Sequence, residues 1–185
     1  MTRRILLVLP AAILLVLVAA GSAQALEVSR LIAPPSICAY QRDVDAAAAL
    51  QERAMRCMTN YARRHADRRR LEDSARLDTS AEMKSRDIVR CDSFSHSACG
   101  RDFTYWIERV GYLRTACWRA GENIAWGSAA YGSVRSIFSA WMHSPPHREN
   151  ILSGGYDSFG VGLDVGGLDG YRDAHVWVQH FGGHC

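Results

Sequence analysis

The chain has 185 residues and a formal net charge of +3, with 22 Lys and Arg side chains against 19 Asp and Glu side chains. Without the N-terminal leader described next, the charge falls to +1 and 160 residues remain, enough for one domain with a single core. A nearly neutral domain of this size gives no general electrostatic reason to bind nucleic acid, so nucleic-acid partners are not expected.

Residues 1–25 are typical of a secretory signal peptide. Arg3 and Arg4 precede an apolar run at 5–20, and AQA at 23–25 fits a small-x-small cleavage site. A membrane-spanning helix is the alternative, but an apolar run of about 16 residues is shorter than the ~20 that a span needs. We therefore expect a secreted, extracellular protein whose mature chain is not stably inserted in a membrane.

All six cysteines lie beyond this leader. An even number of cysteines in an exported chain predicts a disulfide framework. A zinc site built from thiolates is the alternative, but the chain contains no Cys-x-x-Cys pair. The sequence does not choose among the possible pairings; our working set is Cys38–Cys57, Cys91–Cys99 and Cys117–Cys185. If all are bridged, no thiolate is left for a cysteine-hydrolase mechanism.

Helices are predicted over most of the first three quarters of the chain. Residues 26–42 contain Pro34-Pro35 and little periodicity, which predicts an extended N-terminal extension ahead of a domain at 43–185. Helical spacing of apolar residues predicts a first helix from Asp43 to about Arg64, followed by helices at 78–90, 103–110 and 134–141. Pro145-Pro146 prevents the last of these from continuing.

From residue 159 the pattern changes to short β-rich segments at 159–165 and 174–181, separated by a glycine-rich turn at 166–170. Helices followed by an antiparallel hairpin imply an α+β fold in which the helices cover the sheet. His175 and His180 point to opposite faces of the second segment by its two-residue period, so they are not expected to form one cluster.

The basic run at 63–70, which contains five arginines and His65, is a local exception to the balanced charge. Its ordinary interpretation is a solvated helix end, because cations there complement the helix dipole and their alkyl stems cover apolar surface. A patch for phosphate or anionic lipid is the alternative.

Two segments give the most specific functional signal. Residues 121–127 read GENIAWG and residues 141–152 read WMHSPPHRENIL. With FSHS at 94–97 and WVQ at 177–179, they resemble the CAP superfamily of cysteine-rich secretory proteins, antigen 5 and pathogenesis-related proteins, over about residues 57–181. The SPPHR form at 144–148 is similar to the bacterial branch. The resemblance implies a disulfide-stabilised, three-layer α-β-α sandwich around a mainly antiparallel sheet.

The resemblance also implies a site. It places His96, Glu122 and His147 in one open cleft. Many eukaryotic members carry a second glutamate where this chain has Ser144, whose hydroxyl forms hydrogen bonds but does not act as a carboxylate base.

Two imidazoles and one carboxylate match the three-ligand set of a catalytic-type zinc site, which makes His96, His147 and Glu122 candidate metal ligands. The alternative is that the two histidines share a bridging water while Glu122 holds nearby backbone amides. No local motif such as His-x-x-x-His favours the metal. No cofactor is therefore required, and zinc is a candidate occupant of the cleft.

The function implied by the resemblance is binding of an extracellular small molecule, lipid, glycan or peptide in this cleft, rather than catalysis. A zinc-dependent hydrolase that uses Glu122 as base is one alternative. A structural or host-contact module without a working site is another. A serine hydrolase is disfavoured because the chain has no Gly-x-Ser-x-Gly motif.

Overall fold

The computed structural model describes residues 27–114 and 117–184, so the predicted signal peptide lies outside the described residues. The helices are α1 (Ala48–His65), α2 (Ala75–Arg90), α3 (Tyr105–Arg109), α4 (Val134–His143) and α5 (Pro145–Leu152). The strands are β1 (Glu72–Asp73), β2 (Trp118–Gly127), β3 (Ser158–Leu168) and β4 (Tyr171–His184).

The four strands form one sheet in the order β1-β3-β4-β2. The short β1 pairs with β3 in parallel, whereas β3 with β4 and β4 with β2 are antiparallel. The sheet is therefore mainly antiparallel, as expected. Strand β2 lies at one edge, and its register places Glu122 opposite His180 of β4.

Helices cover both faces of the sheet. Because successive strand residues point to opposite faces, Phe159, Val161 and Trp177 pack in one core with α1, α4 and α5. Val176 and Val178 pack in a second core with α2. This arrangement confirms the predicted α+β sandwich of three layers.

Helix α2 lies directly on the backbone of β3 because two residues of that strand are glycines. A Cβ atom at Gly160 would lie 2.0 Å from the carbonyl carbon of Leu77. One at Gly162 would lie 2.4 Å from the carbonyl carbon of Ala81. Both distances are far below any real Cβ contact, so the close approach of helix and strand requires glycine at both positions.

The first helix begins later than predicted. It begins at Ala48 rather than Asp43. The side-chain amide of Gln51 donates hydrogen bonds to the carbonyl groups of Val44 and Ala46, at 3.0 and 2.7 Å, and so holds the preceding residues in a turn.

The sequence did not predict the short strand β1, nor two elements of the candidate site, β2 and α5. Strand β2 covers the GENIAWG motif, where no strand was expected. Helix α4 ends at His143, as the prolines require, but Pro145 and Pro146 then begin a new helix, α5. Proline suits this first turn because its missing N–H would have no partner there in any case.

The N-terminal extension is packed rather than extended. Residues 27–30 are helical, and Val28, Leu31 and Ala33 are buried in the core shared with α1. A disulfide from Cys38 to Cys57 ties the extension to α1.

A second disulfide joins Cys91 to Cys99, so both pairs that the structure defines are those of the working set. Cys117 is also disulfide-bonded, and its expected partner, Cys185, lies outside the described residues. Within the described ranges, no helix is long and apolar enough to cross a membrane.

We expect Gly160→Ala to lower the free energy of unfolding by about 3 kcal/mol, because the added methyl meets the rigid backbone of α2. Urea unfolding measures the effect. Gly154→Ala is the matched control, since a Cβ there meets nothing within 4 Å. Equal stability of the two variants would contradict the close packing of α2 on β3.

Candidate functional site

The centre of the site is the carboxylate of Glu122 on the edge strand β2. Its side chain is only 1% exposed. One oxygen, Oε1, lies 2.6 Å from His96 Nδ1, and the other, Oε2, lies 2.8 Å from His180 Nε2. An ionised carboxylate only accepts hydrogen bonds, so both rings donate to it.

The surroundings keep this carboxyl group ionised. Burial acts to raise the pKa of Glu122, but the hydrogen bonds from His180 and His96 and the charge of Lys84 outweigh burial. The pKa of Glu122 therefore lies below its usual value. A buried negative charge is tolerated here because several donors and a cation surround it.

Lys84, on the sheet-facing side of α2, supplies that cation. It is 1% exposed, and its Nζ donates to the carbonyl oxygen of His96 at 2.5 Å. Burial lowers the pKa of Lys84, while the negative charge of Glu122 opposes this shift. Lys84 therefore balances Glu122 and also fixes the backbone that carries His96.

The orientation of His180 depends on α2 as well. Its Nδ1 lies 2.7 Å from the hydroxyl oxygen of Ser80, one turn before Lys84. The buried His180 ring thus connects α2 to Glu122 across the sheet surface.

On the other side of β2, His147 lies in the first turn of α5. Its Nδ1 is 2.7 Å from the hydroxyl oxygen of Ser144, the residue that precedes the helix. Burial lowers the pKa of His147, and the charge of His96 lowers it further. The two imidazoles are thus close enough to interact electrostatically.

Two asparagines hold α5 against β2. Asn123 points to the face opposite Glu122 and donates to the carbonyl oxygen of His147 at 3.1 Å. Asn150 of α5 donates to Asn123 Oδ1 at 2.9 Å and to the Glu122 carbonyl oxygen at 3.2 Å. These bonds fix the position of His147 relative to Glu122.

The predicted residues therefore form two hydrogen-bonded pairs, His96 with Glu122 and His147 with Ser144, on either side of the edge strand. Each imidazole is anchored through Nδ1. Within residues 27–114 and 117–184, neither Nε2 atom has a hydrogen-bond partner. Each ring therefore keeps one nitrogen atom, Nε2, for a ligand.

The three expected metal ligands are not assembled as one set. Among the described residues, no group of three His, Cys, Asp or Glu side chains is arranged to hold a metal ion. The side chain of Glu122 is 1% exposed, and its carboxylate accepts a hydrogen bond at each oxygen. The atoms that remain for a metal ion are therefore Nε2 of His96 and Nε2 of His147. Catalytic zinc sites have three protein ligands, one more than these two nitrogen atoms provide.

Sequence reasoning missed three residues of the site: Ser80, Lys84 and His180. His180 was set aside because it does not share a face with His175. The informative relation was its register with Glu122, which lies directly opposite on the neighbouring strand. Recognising that relation requires β2 as a strand, and the sequence did not predict β2.

Comparison with known proteins agrees with the family resemblance of the sequence motifs. The model of the cysteine-rich secretory protein family, CAP, matches residues 57–181. YkwD from Bacillus subtilis (strain 168) is 29% identical over 151 residues, which is 80% of this chain and 49% of that protein. The chain thus spans about half the length of this relative.

Solved structures share the fold. An extracellular protein containing an SCP domain, from Bacillus anthracis str. Ames, is 20% identical with a TM-score of 0.57, over 74% of this chain and 43% of that chain. An outer surface protein from Borrelia burgdorferi is 16% identical with a TM-score of 0.61, over 76% of this chain and 97% of that chain.

We expect Glu122→Gln to lower the free energy of unfolding at neutral pH by about 3 kcal/mol, because Lys84 loses its buried counter-charge and one ring N–H faces an amide NH₂. Urea unfolding measures this change. Glu149→Gln, at an exposed position of α5, should change stability by less than about 0.5 kcal/mol. A similarly small effect of Glu122→Gln would show that the buried carboxylate is not needed for stability.

Stability should also depend on the protonation of His147. The pKa of folded His147 lies below the unfolded value of 6.5, so the unfolded state binds more protons as the pH falls through that value. The free energy of unfolding should therefore decrease from about pH 7.5 to about pH 5.5, and decrease less in His147→Gln. Urea unfolding across this range tests the difference. His143→Gln, at an exposed position, should retain the wild-type dependence; an equal dependence in His147→Gln would refute the prediction.

Proposed function

Because this chain belongs to the cysteine-rich secretory protein (CAP) family, we propose that it is a secreted protein that binds an extracellular ligand in the cleft between His96 and His147. Its disulfides support an oxidising location. So do the extracellular and outer-surface descriptions of the two bacterial proteins that share its fold. The predicted signal peptide at 1–25 is consistent with export.

The anchoring of both imidazoles is the observation that carries this proposal. His96 is held by the buried carboxylate of Glu122 at 2.6 Å, and His147 by Ser144 at 2.7 Å. Side chains that are already ordered lose little conformational entropy when a ligand binds. The two Nε2 atoms can form hydrogen bonds with a hydroxyl or amide group. Glycans, peptides and lipid head groups all contain such groups.

The same two atoms are suitable ligands for a divalent cation such as Zn²⁺. Glu122 would then be the outer carboxylate that orients His96, a common arrangement around zinc-bound histidine. Further coordination positions would be filled by water or by the extracellular ligand. In the hydrolase alternative, Glu122 would have to be free as a base or third ligand. Its two hydrogen bonds make binding the better-supported function.

We expect Zn²⁺ to bind the oxidised protein with a Kd on the order of micromolar, because two oriented imidazoles act together. Isothermal titration calorimetry should show at least about tenfold weaker binding for His96→Ala and for His147→Ala. His143→Ala, at the exposed end of α4, should bind as the wild type does. No binding, or equal binding by all four proteins, would end the proposal that the cleft holds a metal.

Ligands without a metal are tested on the same proteins by thermal unfolding with muramyl dipeptide, chitotetraose or oleate. A shift that His147→Ala abolishes would support ligand binding in the cleft. Chelator-sensitive turnover of peptide, glycan or ester substrates that is lost in His147→Ala would instead favour the hydrolase.

A further inference from the structure

A concave site beside α1, here called the basic pocket, has none of the candidate cleft residues in its lining. It has a volume of about 350 Å³, at the lower end of the range for small-molecule pockets. Its lining includes Arg53, Arg56, Arg64 and Arg70, against one carboxylate, Asp73. Four guanidinium groups around one cavity are conspicuous in a domain whose overall charge is nearly balanced.

Most of this positive charge is not neutralised within the protein. Arg56 pairs with Asp73 at 3.5 Å and also contacts Asp78. Among residues 27–114 and 117–184, Arg53, Arg64 and Arg70 have no carboxylate partner. Three guanidinium groups that share a cavity repel one another, and an anion placed between them would relieve that repulsion.

The backbone that carries these arginines is held in place. Asn60 of α1 forms two hydrogen bonds with the backbone of Leu71, at 3.0 and 2.9 Å, directly after Arg70. Arg63 donates to the Arg69 carbonyl oxygen at 2.8 Å. These bonds hold the loop that carries Arg70 against the helix. A loop whose backbone is already ordered loses less conformational entropy when a ligand binds than a mobile loop does.

The local electrostatics agree with an anion site. Arg63 is buried beneath the loop, and its pKa is lowered to about 10, chiefly by burial and further by the positive charges of Arg68 and Arg69. Arg68 and Arg69 do not line the pocket, so their charges contribute only to the positive potential around it.

We propose that this pocket binds a phosphate group, carried by a small ester or by a lipid head group. Arginine presents its N–H donors in a planar fork that matches phosphate oxygens. A phosphate ester can carry more negative charge than a single carboxylate and so suits three unpaired arginines. The pocket exceeds the size of the phosphate group itself and leaves room for a substituent. Ile37, which is 55% exposed, lines the pocket and offers that substituent an apolar contact.

The test uses the oxidised protein at low ionic strength, where electrostatic binding is least screened. Inorganic phosphate and glycerol 3-phosphate are titrated by calorimetry. Vesicles of phosphatidylcholine, with and without phosphatidylglycerol, are tested by co-sedimentation. We expect at least one phosphate-bearing probe to bind, and Arg64→Gln with Arg70→Gln to weaken that binding at least about tenfold.

The matched control is Arg68→Gln with Arg69→Gln. It removes the same charge from the same basic run at 63–70, but neither side chain lines the pocket. We expect this control to weaken binding by no more than about threefold. All four arginines are exposed, so both double variants should fold; circular dichroism checks this.

The two possible sources of the phosphate are distinguished by the probes. Binding of glycerol 3-phosphate in solution would identify a soluble ester. Binding only to vesicles with phosphatidylglycerol would identify a head group at a lipid surface. Two results would overturn the proposal: no binding of any phosphate-bearing probe, or equal losses in the two double variants, which would show a diffuse basic surface instead of a site.

Discussion

The buried carboxylate of Glu122 is the constraint on which the arrangement of the candidate site depends. A negative charge with a 1% exposed side chain is stable only when donors and a counter-charge surround it. His180 of β4 and His96, in the segment after α2, each donate a hydrogen bond to this carboxylate. Lys84 of α2 supplies the counter-charge. The need to satisfy one carboxylate thus fixes how three separate parts of the chain meet, and leaves the outer nitrogen of His96 directed away from Glu122.

This arrangement needs a helix unusually close to the sheet. Gly160 and Gly162 allow α2 to lie on the backbone of β3, and α2 then brings Ser80 and Lys84 within reach of His180 and Glu122. The two faces of the edge strand have different roles. One face carries the charged network of Glu122, whereas the other docks α5 and its His147 through asparagine side chains.

Arg63 forms hydrogen bonds both with the end of α5, the helix that carries His147, and with the loop that carries Arg70 of the basic pocket. It is buried without a carboxylate partner among the described residues, and it donates to the carbonyl oxygens of Ile151 and Ser153, both at 2.8 Å. These carbonyl groups lie at the C-terminal end of α5, and His147 is the third residue of the same helix. One arginine therefore holds the end of this helix and, through Arg69, the loop of the basic pocket.

Elements with a local pattern were predictable from the amino-acid sequence: the helical periodicity of α1 to α4, the final β hairpin and the end of α4 before its prolines. Its motifs also predicted His96, Glu122, Ser144 and His147 as site residues, because the resemblance is carried by contiguous segments. The pairing of Glu122 with His180, in contrast, depends on how the strands are assembled. That contact joins residues 58 positions apart, and it arises from strand register, which local periodicity does not contain. The role of Lys84 as counter-charge to Glu122 was not predictable for the same reason. A lysine in a helix is ordinarily expected to be exposed, and Lys84 is buried only because α2 packs on the sheet.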